Sequence, residues 1–220
     1  MTAGPGPGVT SGRIPPGGLA RFRRPVSRPA PGERCEMCEE PLAAEHSHIA
    51  DLTGRSVQCA CRACYLLFTR PGAAQGRYRA IPDRYRYDPD FRLSAGQWDE
   101  LAIPVDLVFV FRQSSEGRDV AFYPSPGGAT ESLLPLETWA EIMAANPAFA
   151  DLEPDVEAVL LRRTDAGVEG YLVPIDICYD LVGRVRLNWH GFAGGEELWR
   201  EVDEFFARLI ERAEPAEDGA

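Results

Sequence analysis

The chain has 220 residues, 45% of them hydrophobic, which suits one ordinary domain plus a small appended module. All 23 basic residues are arginine, which excludes lysine-based Schiff-base or P-loop chemistry, and the net charge is -11. The charge is uneven: residues 1–92 carry 14 Arg against 9 acidic side chains, and residues 93–220 carry 9 Arg against 25, an acidic body that disfavours general nucleic-acid or anionic-membrane binding.

In chain order, residues 1–33 are rich in Gly, Pro and Arg and poor in large apolar side chains. Such a segment buries too little surface to offset its ordering entropy, so it is expected to be disordered. Arg23-Arg24 is followed by Pro25, Val26, Ser27, Arg28 and Pro29 and not by an apolar stretch, so it does not read as an export signal. No apolar run approaches the ~20 residues that span a bilayer. The expectation is a cytoplasmic protein with no membrane insertion, in which clustered cysteines mean metal more often than disulfides.

Residues 34–70 hold that cluster. Cys35/Cys38 and Cys61/Cys64 both have the C-x2-C spacing, with 22 residues between the pairs. One such turn aims two thiolates at one point, and a second completes a tetrahedron of sulfur around a zinc-sized ion. Cys35, Cys38, Cys61 and Cys64 are therefore the expected ligands. Cys59 is a spare that C-A-C spacing allows in place of Cys61, and His46 and His48 in the intervening loop are either substitutes or partners that hydrogen-bond a thiolate or a carbonyl. Zinc is the expected metal, with iron as the alternative. Glu39 and Tyr65 occupy the positions where rubredoxin-type iron knuckles commonly have glycine, which favours zinc. A closed four-sulfur zinc site has no open position, so it would be structural. Leu66, Leu67 and Phe68 are expected to join this module to the body.

Residues 71–97 read as an irregular connector in which Arg77, Arg79, Arg84 and Arg86 alternate with Tyr78, Tyr85 and Tyr87. These arginines either pair with acids such as Asp83, Asp88 and Asp90 or grip a nucleic acid. The body, 98–213, begins near Trp98. Residues 106–111 and 120–123 predict a strand pair around the loop 113–119, followed by a Gly/Pro loop at 124–132. Leu136, Trp139, Ile142 and Met143 mark a helix between Pro135 and Pro147. Residues 156–161 and 168–173 predict a second hairpin. Residues 175–189 fit either a strand or a helix, and the early acids and late arginines favour the helix, with an Asp180–Arg184 pair. Leu198, Trp199, Val202, Phe205, Phe206, Leu209 and Ile210 predict a last helix packed on the sheet, with Trp199, Phe205 and Leu209 in the core and a flexible tail at 214–220. The fold class is α+β: a small zinc-ribbon or rubredoxin-like four-cysteine module followed by an antiparallel sheet with packed helices.

Of the remaining motifs, Cys178 reads as a small buried hydrophobe and His190 has no evident partner. No nucleophile–base constellation stands out, so no catalytic residue is expected and the protein reads as a non-enzymatic one.

The strings CEMC…HSH…CACRACYLLF (35–68), IPVDLVFVF…AFYPSPGGATESLLPL (103–136) and VPIDICYDLVGRVRLNWHGFAGGEELW (173–199) resemble an actinobacterial family often encoded beside uptake nickel–iron hydrogenases. The resemblance implies an accessory protein whose partner is a hydrogenase subunit or maturation factor. A rubredoxin-like one-electron carrier and a zinc-ribbon nucleic-acid binder are the alternatives.

Overall fold

In the computed structural model, residues 34–191 and 194–215 are described, so the readings for 1–33 and 216–220 lie outside the described residues. The front of the chain is a hairpin of β1 (Ser47–Asp51) and β2 (Ser56–Ala60), extended by β3 (Tyr78–Ala80) into a three-stranded sheet of order β2-β1-β3. Helix α1 (Arg62–Leu67) follows β2 directly. Ile49, Ala60, Phe68 and Ala80 pack with Cys35 and Cys64 into the module's own small core. Asp51, 4% exposed, closes the β1–β2 turn by accepting from the Thr53 and Gly54 amides and from Arg77.

The body is a seven-stranded sheet of order β10-β4-β9-β8-β5-β6-β7. Its strands are β4 (Arg86–Asp88), β5 (Leu107–Gln113), β6 (Arg118–Ser125), β7 (Gly128–Ser132), β8 (Glu157–Thr164), β9 (Gly167–Pro174) and β10 (Glu214–Pro215). All neighbours are antiparallel except β10 and β4, so the sheet is mixed and not purely antiparallel as expected. The remaining helices are α2 (Ala95–Glu100), α3 (Leu136–Ala145), α4 (Ile175–Asn188) and α5 (Glu196–Arg212).

Both faces of this sheet are covered, which explains the unbroken apolar runs in its central strands. Side chains alternate between faces along a strand. Leu107, Phe109, Ala158, Leu160, Tyr171 and Val173 accordingly meet α4 and α5. Val108, Val110, Val159, Leu161 and Leu172 point the other way, onto Trp98 of α2 and Trp139 and Ile142 of α3.

Residues 175–189 resolve as helix. Ile175, Cys178, Leu181, Val182 and Val185 form its buried face, and Asp180 pairs with Arg184 at 2.8 Å. Cys178 is fully buried. Both expected hairpins form, β5–β6 and β8–β9.

Further expectations need correction. The 71–97 stretch is not wholly irregular: it carries β3, β4 and the first residues of α2, whose start is set by a capping box between Ser94 and Gln97. The Gly/Pro loop 124–132 contains β7, because the Ser125↔Gly128 pairing leaves only Pro126 and Gly127 as a two-residue turn. On α5, Phe205 and Leu209 are core residues, but Trp199 is 36% exposed and Ile210 is 44% exposed, because the inward stripe is the narrower one of Leu198, Val202, Phe205, Phe206 and Leu209. Glu214–Pro215 is not a loose tail, since it pairs in parallel with Arg86–Tyr87.

The module meets the body through the opposite face of its hairpin. Ala50, with Leu52 and Val57 beside it, joins the core cluster under α4, as do Ile81 and Tyr85. Leu66 and Leu67 do not make this junction; they are 51% and 66% exposed, whereas Phe68 turns into the module's core.

Candidate metal centre

Two short turns build the cluster. In the first, Glu39 N–H donates to the Cys35 carbonyl (2.8 Å) and Cys35 N–H donates to the Glu40 carbonyl (2.8 Å). Glu36 docks this turn on the end of β2: its N–H donates to the Cys59 carbonyl (2.9 Å), and its carboxylate accepts from the Cys59 N–H (2.6 Å). In the second, the Cys61 sulfur caps α1, accepting from the Cys64 N–H at 3.5 Å. The chain returns through β1 and β2, and the hairpin's antiparallel course brings the two turns face to face.

The sulfurs of Cys35, Cys38, Cys61 and Cys64 lie within 4.8 Å of one another, and the Cys38 and Cys61 sulfurs are 3.7 Å apart. Four ~2.3 Å bonds in a tetrahedron require an edge of ~3.8 Å, so the donor set and its spacing fit a zinc- or iron-sized ion. Cys35 and Cys64 are buried, Cys61 is half-buried and Cys38 is exposed. The cluster thus sits at the module surface with one edge toward solvent.

Its electrostatics point the same way. Burial pushes the Cys35 thiol up, but the backbone amides of Cys61, Met37 and Cys38, with the Cys38 side chain, outweigh it and lower the thiol to about 6. The other members move oppositely. Burial, then the Cys38, Cys61 and Cys35 side chains, drives Cys64 well above the ordinary thiol value. At Cys38 the Glu40 amide and the Cys64 side chain pull down, yet Cys35, Cys61 and burial leave it raised. One thiolate forms readily and discourages the next. A dication among them removes that conflict and lets all four ionise.

The remaining residues of interest separate by strand parity. Cys59 precedes Ala60, whose side chain enters the module core, so Cys59 projects from the other face of β2. There it stands directly opposite His48 in the β1–β2 register. His46 lies two residues earlier, on the same side, its ring 4.8 Å from that of His48. None of these three joins the four-sulfur cluster. His46 Nδ1 is 2.9 Å from the Ala43 carbonyl, and His48 Nδ1 is 2.7 Å from the Asp176 carboxylate at the start of α4. Burial, then Glu36 and Cys35, raises the Cys59 thiol. Sequence reasoning missed Asp176; its early place in the α4 segment carries no sign of a contact with a histidine so far away in the chain.

The arginines of the connector are engaged, though not with the neighbours expected. Arg77 pairs with Asp51 (2.8 Å), Arg79 with Glu153 (2.7 Å) and Arg86 with Asp151 (2.8 Å). Arg84 bridges Asp151 and the fully buried Glu157. Of the acids proposed from sequence, Asp83 instead pairs with Arg212 of α5 at 2.8 Å. His190 lies 2.8 Å from the Asn188 carbonyl, outside either cluster.

Two clefts border the hairpin. One, of about 540 Å³, is lined mainly by apolar side chains including Leu52, Val57, Phe111, Phe122 and Tyr179. The other, of about 630 Å³, opens beside His46, His48, Asp176, Arg62 and Arg212. Among the described residues, no helix is long and apolar enough to cross a membrane. No characterised protein and no solved structure matches the chain. A family model does match it over residues 34–213, from the first cysteine turn to the end of α5, and the chain belongs to that family of unknown function, DUF5947.

Proposed function

We propose that this is a non-enzymatic, cytoplasmic accessory protein in which a zinc ion in the four cysteines holds a small ribbon-like module in shape for contact with a partner protein. The observation that carries the reading is the convergence of the four sulfurs from two C-x2-C turns, a donor set that fills a tetrahedron and leaves the ion no open position. The exposed Leu66 and Leu67 support the contact role, because they stand on the helix that Cys61 caps and so depend on the metal for their presentation. The ion pairs of Arg77, Arg79, Arg84 and Arg86 disfavour the nucleic-acid reading, since these guanidinium groups already neutralise carboxylates. A hydrogenase subunit or maturation factor as the partner rests on the resemblance of the three sequence strings alone.

Metal analysis of purified protein tests the first part, with about one tightly held zinc per chain as the expected result. Deletion of the gene tests the second: the amount or activity of the hydrogenase should fall while its transcription persists. A deletion strain with fully assembled, fully active hydrogenase would remove the accessory role.

One observation favours a second reading, a one-electron carrier with iron in the same cysteines. Glu39, which stands where iron knuckles commonly have glycine, nonetheless adopts the left-handed backbone that such a turn uses, with φ 65°. The missing glycine at this turn therefore does not count against iron. A red preparation with thiolate-to-iron absorption from iron-replete native cells would establish that reading.

A further inference from the structure

We infer that His46, His48 and Cys59 form a second metal site, separate from the four-cysteine cluster, which takes an exchangeable first-row divalent ion of borderline softness such as Zn²⁺. The hairpin builds it. His48 and Cys59 are cross-strand partners, His46 shares their face, and one ligand atom from each of the three lies within 4.8 Å of the others. A tetrahedral ion asks for edges of ~3.6 Å between nitrogen and sulfur, a closure of about 1 Å that side-chain rotation supplies.

The two imidazoles are already set as ligands. A metal-binding histidine normally commits one ring nitrogen to a carboxylate or carbonyl, which fixes the ring and leaves the other nitrogen's lone pair for the ion. Both arrangements are present: Nδ1 of His48 on the Asp176 carboxylate, and Nδ1 of His46 on the Ala43 carbonyl. The second nitrogen of His46, Nε2, is buried with no hydrogen-bond partner. A buried polar atom without a partner is costly, and an ion held with His48 and Cys59 gives it one.

This site differs in kind from the four-cysteine cluster. Three protein ligands leave one position open, the arrangement of sites that exchange water for another ligand. His46 and His48 both border the 630 Å³ cleft, so the open position has access to solvent and to an incoming donor. The site also accounts for the fifth cysteine, which a single tetrahedron has no place for.

The test uses the full chain carrying its tightly bound metal, washed with EDTA and titrated with Co²⁺. A second equivalent should bind, show four-coordinate d–d bands with charge transfer from one thiolate, and leave on renewed EDTA treatment. Cys59→Ser should abolish that charge transfer. Asp176→Asn, which touches the ion only through His48, should weaken the second equivalent ~10–100-fold. Neither variant should lose the first metal. In the unsubstituted protein, ¹⁵N shifts of the His46 and His48 side chains on adding Zn²⁺ should report coordination at Nε2, a readout that needs no variant. Failure to bind a second equivalent, unchanged histidine shifts, or loss of the first metal in Cys59→Ser would overturn the inference. An empty four-cysteine cluster would instead remove the EDTA-resistant equivalent, so the two failures are distinguishable.

Discussion

Arg84→Met tests how the module is fastened to the body. Glu157 opens β8 with a side chain that is 0% exposed. Its carboxylate accepts three hydrogen bonds: from Arg84 Nε (2.7 Å), from Arg84 Nη2, and from the Glu153 N–H (2.8 Å). Methionine removes two charge-assisted bonds and leaves the carboxylate one amide. Each such bond is worth ~1.5–3 kcal/mol, and unpairing a buried ion pair costs ~3–5 kcal/mol. Arg84 is 29% exposed, so water reaches the site and the lower end, about 3 kcal/mol, is expected. For a chain of this size that is a fall of ~6–12 °C in Tm. Asp151 is not orphaned, because Arg86 holds it at 2.8 Å. Urea unfolding at neutral pH measures the effect, with Arg55→Met as the control: the Arg55–Glu116 pair is 64% and 32% exposed and should be worth under ~1 kcal/mol. Replacing both partners, Arg84→Met with Glu157→Leu, should recover most of the loss, since the unpaired charge is then gone. An Arg84→Met protein within about 1 kcal/mol of the parent would refute the reasoning, as would a double variant no more stable than the single one.

Cys38→Ser or Cys61→Ser should abolish the tight metal and loosen the module, while Cys178→Ser retains full metal content by elemental analysis. Gly170→Ala should cost ~1–3 kcal/mol in thermal unfolding, because a Cβ there would stand 2.8 Å or closer to the ring carbons of Phe91, and Phe91→Leu should relieve part of the loss. Asp51 gives an acid limb: Arg77 first, then the Gly54 amide, hold its carboxyl at about 2, below the ordinary range. A depressed carboxyl stabilises the fold above its unfolded pKa of ~4, and that contribution disappears as pH falls through about 2. Asp51→Asn should therefore be less stable than the parent at neutral pH, with the difference closing in acid; a gap constant from pH 6 to 2 in denaturant titrations would contradict the assignment.

The long periodic elements were legible because burial on both sheet faces writes itself into the sequence as unbroken apolar runs at 107–111 and 158–161. The spacing of Cys35, Cys38, Cys61 and Cys64 likewise carries its geometry in the spacing itself. What stayed hidden was set by tertiary contact. β3 and β4 are three residues long, too short for a period to register, and exist because β1 and β9 offer free edges. Trp199 fits the helical stripe by spacing, but the sheet covers only its inner line. The role of Cys59 was the subtler miss. The alternation in SHIAD and SVQCA marks a hairpin around Thr53 and Gly54, and counting across that turn places Cys59 opposite His48, whereas Cys61 leaves the strand, which ends at Ala60, to cap α1.

The position of β4 bears on the order in which a nascent chain becomes a protein. Residues 86–88 insert between β9, at residues 170–172, and β10, at 214–215. The cysteine turns therefore leave the ribosome long before the strand that will anchor their connector has been made. Local contacts form first, and a hairpin with its metal needs nothing beyond residue 80 or so, whereas closing β4 against β9 awaits most of the sequence. The four cysteines can therefore come together, and a metal among them would find its whole ligand set, before β9 exists to receive β4.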